Sequence, residues 1–200
     1  GCTHTQVVCG YGKTCVDATC LYPYYPYYYY PYEVPYFPPA AAPIPPRSST
    51  LPAGSSVALP WGQSVTALEA MQVYNGLAYL GSAPLSFNRN IVNPISIGSG
   101  SQTAGSGLDR AEMIGLNWKN SGFSLTLIQP NGITLPIQGD GRNVVHLTGP
   151  KYDYYFLRSP APGNWIIRVT PISPASGGAD YSLIYGMVQG TIPQQPAPIQ

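Results

Sequence analysis

The chain has 200 residues, of which 9 are Lys or Arg and 8 are Asp or Glu, so its formal net charge is +1 and its charged fraction 8 %. An ordinary soluble domain is about 25 % charged, and so little charge leaves neither a basic stripe for nucleic-acid phosphates nor an acidic field to steer a charged ligand. No apolar run approaches the roughly 18 residues of a transmembrane helix; 44 % hydrophobic residues suffice for one core, and 23 Pro, 22 Gly and 17 Tyr point to extended chain, turns and aromatic surface.

The sequence starts at Gly1 and its first methionine is Met71, which fits a secretion signal already removed. Cys2, Cys9, Cys15 and Cys20 all fall in residues 1–20, a segment too short for a core of its own. An even number of cysteines there predicts a disulfide staple of two bridges, with three pairings open. Their spacing matches no common zinc finger even with His4 added, and no CxxCH is present for covalent haem. Gly1-Cys2 resembles a lipoprotein cleavage site, but cleavage there would remove Gly1 and leave Cys2 lipidated. Neither a metal nor a cofactor is expected.

Residues 21–60 change composition abruptly. Tyr22, Tyr24, Tyr25, Tyr27, Tyr28, Tyr29, Tyr30, Tyr32 and Tyr36 alternate with Pro23, Pro26, Pro31, Pro35, Pro38 and Pro39. Proline fixes its own φ, lacks a donor and pushes the preceding residue to extended conformations, so an extended arm is predicted. Its second half, through Pro43, Pro45 and Pro46 to Pro52, reads as a linker. Tyrosine offers large rigid area at low entropic cost, which suits the arm to lie along a partner surface.

Residues 61–190 carry the pattern of a single domain. Thr66 and Glu69 resemble a capping box, predicting one short helix near Ala67 to Tyr74, with a strand as the alternative. Beyond it come short apolar runs separated by turn residues: 77–80, 85–87, 91–97, 111–118, 123–128, 133–137, 144–147, 154–157, 165–169 and 181–188. Phe123, Leu125 and Leu127 alternate with Ser124 and Thr126, and Trp165, Ile167 and Val169 with Ile166 and Arg168, the mark of half-buried antiparallel strands. Turns are expected at Pro130-Asn131-Gly132, at Gly139-Asp140-Gly141 and over 160–164, and a flexible loop over the Gly/Ser run 98–107. The expected fold is all-β, a jelly-roll-like β-sandwich with core positions Leu116, Trp118, Leu125, Leu127, Trp165, Ile167, Val169, Leu183 and Tyr185. Residues 191–200, with Pro193, Pro196 and Pro198, read as an extended tail.

Leu116-Asn117-Trp118, the run from Ser124 to Gly132, Pro162-Gly163-Asn164-Trp165 with its following strand, and Tyr181 to Gly186 together resemble a known module. Over roughly residues 91–190 the chain is similar to the bacterial pre-peptidase C-terminal domain and the related P domain. The resemblance implies a non-catalytic accessory or scaffold domain, secreted or on a cell surface. Members of that family often hold calcium through acidic residues before the Pro-x-Gly turn. Here Ser124, Thr126 and Gln129 stand at those positions, which argues against a calcium site, and Asp140, Asp153 and Asp180 read as scattered turn or surface residues.

Catalytic chemistry has few candidates. His4 and His146 are the only histidines, Glu33, Glu69 and Glu112 form no recognisable pair, and no GxSxG occurs. His146, within Val144 to Leu147, reads as a half-exposed structural histidine. The expectation is a protein that is no enzyme. It is expected to be a secreted structural component at or outside the cell surface, assembling as a homo-oligomer or with another cell-surface protein through the Tyr/Pro arm. A carbohydrate- or matrix-binding module, with polysaccharide as partner, is the alternative, and an accessory fragment of a secreted hydrolase a third.

Overall fold

The computed structural model describes residues 44–79, 82–92, 109–120, 122–136, 138–173 and 178–194, together with the backbone of 14–16 and 19–21. The chain divides into two units, Gly1–Pro38 and Pro39–Gln200. In the first, β1 (Thr14–Val16) and β2 (Thr19–Leu21) form an antiparallel hairpin. Cys15 and Cys20 are Cα partners across it, whereas Cys2, Cys9 and the nine arm tyrosines from Tyr22 to Tyr36 lie outside the described residues.

The second unit is all-β, and among its described residues there is no helix. Its strands are β3 (Arg47–Leu51), β4 (Ser56–Ala58), β5 (Ser64–Ala67), β6 (Met71–Ala78), β7 (Leu85–Ile91), β8 (Asp109–Trp118), β9 (Gly122–Ile128), β10 (Val144–Gly149), β11 (Tyr152–Leu157), β12 (Gly163–Ser173) and β13 (Ala179–Gly190). A large antiparallel sheet runs β10-β11-β8-β13; the far side of β13 pairs with β6 and then β3 along 179–185, and with β5 and then β4 at Val188 and Gln189. A small sheet of order β7-β12-β9 completes a sandwich-like arrangement.

The period-two pattern predicts these faces correctly. Phe123, Leu125 and Leu127 of β9 and Trp165, Ile167 and Val169 of β12 are buried against Ile114, Leu116, Tyr155, Leu157, Leu183 and Tyr185 of the large sheet. All nine expected core positions join this layer, with Trp118 packed at its margin. The turn at 130–132 forms as well: Gly132 has φ +84°, and its N–H donates to the Gln129 carbonyl at 2.8 Å.

A second cluster covers the opposite face of the large sheet. Met71, Met113, Tyr154, Phe156 and Val188 lie under Val57, Leu59, Val65 and the Trp61 ring, contributed by β4, β5 and the turn between them. The Trp61 centroid stands 5.3 Å from that of Tyr154 and 5.4 Å from that of Tyr152. Because both faces are covered, β8 is buried without a break from Ala111 to Leu116. Gly115 belongs to this arrangement: the Tyr154 ring lies over it so closely that a Cβ there would collide with the ring.

Three expectations are corrected. Residues 67–74 form no helix; Met71 onward is β6, clasped between β3 and β13, and so short a segment cannot hold a helix against pairing on both sides. Residues 47–60 are no linker, since the proline-free stretches after Pro46 and after Pro52 supply β3 and β4 of the large sheet. Residues 133–136 form no strand: Thr134 makes an isolated bridge to Ile128, and the Ile133 carbonyl and Leu135 N–H bond to Gln129 and Leu127.

Candidate functional site

Most buried charge in the second unit fastens the two sheets together. Glu112 of β8, fully buried, accepts from Arg89 of β7 at 2.6 and 3.0 Å. The same guanidinium binds Glu69, whose Oε1 also accepts the Met187 N–H at 2.9 Å. Two carboxylates therefore share one cation. Burial pushes the Glu112 carboxyl up to about 7, against the opposing pull of Arg89 and with Glu69 adding to the rise. These residues match no catalytic motif, yet the sequence carries a signal of them: Arg89 stands in the apolar phase of β7 with Phe87 and Ile91, and Glu112 in that of β8 with Ile114 and Leu116.

A second clamp lies at the other side of the small sheet. His146 Nε2 and Asp153 Oδ1 are 2.5 Å apart, the imidazole is stacked on Tyr155 at 3.9 Å, and Asp153 Oδ2 accepts the Leu125 N–H of β9 at 2.9 Å. Both residues are buried. This corrects the expectations of a half-exposed His146 and a surface Asp153: alternation puts them on the inter-sheet face with Val144, Tyr155 and Leu157.

These contacts decide which strand edges stay open, the property that matters for a β-protein meeting a partner. β9 is closed along its outer side by Asp153 at Leu125 and by the Leu135 N–H to the Leu127 carbonyl at 2.8 Å. On β7 the Tyr185 hydroxyl donates to the Asn88 carbonyl at 3.2 Å. At β10 the Asp140 carboxylate accepts N–H groups of Arg142, Asn143 and Val144, and Gly141 donates to the Val144 carbonyl. Desolvation, the largest single influence on Asp140, is outweighed by the Val144, Arg142 and Asn143 donors and the charge of Arg158 together, so its carboxyl sits below the usual value. β4 has only three residues. β3 is exposed from Arg47 to Thr50 and pairs only with β6 among the described strands.

Next to β3 the outer face of the large sheet carries a groove of about 560 Å³. Register places Arg47, Asn75, Ser182 and Asn117 in one row across β3, β6, β13 and β8, spanning about 14 Å at the usual strand spacing. Leu77 and Asp180 form the next row, and Lys119 lies beyond the end of β8. Asn117 donates to the Tyr154 hydroxyl at 2.7 Å, while Asp180 is exposed on β13. Trp118 and Tyr181 line the same groove but belong to the inter-sheet phase: the rings of both pack on Phe123. Burial pushes the Tyr181 hydroxyl up to about 12.

Asp140, Asp153 and Asp180 are thus not brought together, and among the described residues no group of three His, Cys, Asp or Glu side chains could hold a metal ion. No helix among them is long and apolar enough to cross a membrane. No protein-family model matches the chain, and no curated protein matches it.

Proposed function

We propose that this is a non-catalytic, secreted structural protein that assembles at or outside the cell surface as a filament, surface-layer or matrix component, with the arm from Tyr22 to Phe37 docking on a neighbouring subunit. The observation that carries the reading is the tyrosine- and proline-rich arm preceding a domain with only 8 % charged residues in the whole chain. Proline keeps such an arm extended, tyrosine gives it area to bury, and low charge reduces repulsion between packed copies. In this reading the sandwich is a jelly-roll scaffold akin to the pre-peptidase C-terminal domain, and two disulfides staple residues 1–20. Its buried ionisable groups are engaged in holding sheets together, which supports a structural role over a catalytic one. Removing residues 2–46 leaves β3 intact and should give a folded, soluble sandwich that no longer polymerises. Polymers of unchanged form from that truncated chain would reduce the arm to a spacer.

The groove beside β3 favours one alternative, a polysaccharide-binding module. Its row of amide and hydroxyl side chains with Asp180 can exchange hydrogen bonds with sugar hydroxyls. Titration calorimetry with neutral and acidic polysaccharides tests this, and Asp180→Asn should weaken any binding found.

A further inference from the structure

We propose that the outer edge of β3 is a self-association site, at which Arg47–Leu51 of one copy pairs antiparallel with the same five residues of a second copy, centred on Ser49. This goes beyond the arm-docking reading and does not depend on it. The first ground is a comparison of the described edges. The Asn88 carbonyl on β7, the Leu125 N–H on β9 and the Val144 N–H at the start of β10 are already engaged, and β4 has only three residues. β3 has five residues, no proline within it, no inward charge, and an exposed surface. Its one side-chain contact to the backbone is a long one, from the Gln72 amide to the Ser49 carbonyl at 3.3 Å.

The second ground is self-complementarity, which a two-fold interface demands. Antiparallel pairing about Ser49 sets Arg47 against the second copy's Leu51, Ser48 against its Thr50, and Ser49 against its own counterpart. The sole charge of the strand then faces an aliphatic side chain, along which an arginine stem can lie. Facing serine and threonine hydroxyls are favourable cross-strand pairs. Pro46 and Pro52 bound the strand on both sides and cannot extend a ladder, so the pairing ends where β3 ends and its register is fixed. The product would be one continuous sheet through both copies. A five-residue ladder is a small interface, so the association is expected to be reversible and concentration-dependent.

Ser49 shares a sheet face with Arg47 and Leu51, and in this register its Cβ lies about 5 Å from its counterpart. The test therefore uses the full-length chain with Ser49→Lys and Ser49→Glu, each exposed on an edge and compatible with folding. Light scattering across a concentration series should show the parent reaching an even multiple of the chain mass. Each variant alone should lose the β3 contact and show half that mass, and an equimolar mixture should restore it with both variants in equal amounts by native mass spectrometry. The proposal is overturned if the parent stays monomeric, if the single variants keep the parent's mass, or if variants with unchanged thermal unfolding fail to recombine. Loss of assembly on removing residues 2–46, with no effect of either Ser49 substitution, would also overturn it while leaving the arm reading in place.

Discussion

The two faces of the large sheet are built differently. The inter-sheet layer is made by alternating strands that meet like with like, Leu125, Leu127, Trp165, Ile167 and Val169 against Leu116 and Leu183, and it is bordered by Arg89 with Glu112 on one side and His146 with Asp153 on the other. Among the described residues of the second unit, no second sheet covers the outer face. β4, β5 and Trp61 cover it instead, over Met71, Met113, Tyr154 and Phe156. Burial on both sides thus comes from unlike partners, one a regular sheet and the other a short hairpin carrying a single large ring. The first kind of cover should fail together with the fold, and the second should open locally.

The sharpest way to break that comparison is to truncate one tryptophan on each side. Trp165→Ala should cost about 3–5 kcal/mol in urea unfolding, because its ring is buried between the sheets and its Nε1 donates to the Ala161 carbonyl at 2.9 Å. Trp61→Ala removes a half-exposed ring and should cost about 1–2 kcal/mol, with faster amide exchange confined to β4 and β5. Equal losses, or global loosening from the second change, would show that both covers belong to one cooperative unit.

A smaller effect separates the polar borders. Asp153→Ala leaves the Leu125 N–H and His146 without this carboxylate and should cost about 1–3 kcal/mol, with exchange at Leu125 rising first. At the opposite border the test is pH. Folded Glu112 holds its proton up to about pH 7 whereas the ordinary carboxyl releases it near 4.5, so the folded state binds the extra proton between those limits. The stability this contributes is complete below pH 4.5 and is lost as pH rises through 7. Unfolding free energy should fall over that interval, and Glu112→Gln should flatten the slope; an unchanged slope would place the titration elsewhere. The smallest expected effect is at the β10 turn. Asp140→Ala removes an exposed acceptor of three N–H groups and should cost about 1 kcal/mol or less. Because the folded Asp140 carboxyl is lowered, its contribution is present above the usual carboxyl range and disappears on acidification.

The sequence by itself determined strands β9 and β12 and the face each turns inward. Period-two alternation in residues 123–127 and 165–169 depends only on the geometry of a pleated strand, and the turn at Asn131-Gly132 only on glycine's freedom at positive φ. What it could not determine was which segments become neighbours. Thr66 and Glu69 look like a helix start until β13 and β3 flank β6, and residues 47–58 look like linker until the large sheet gives their backbone groups partners. The charged residues teach the same lesson. Arg89, Glu112, His146 and Asp153 each stand in the apolar phase of a strand, a signal visible in the chain, but a buried charge is tolerable only beside a specific opposite group. Packing of the two sheets brought Arg89 to Glu112, and pairing of the neighbouring strands β10 and β11 brought His146 to Asp153, while the order of the large sheet left the β3 edge open to a partner among the described strands.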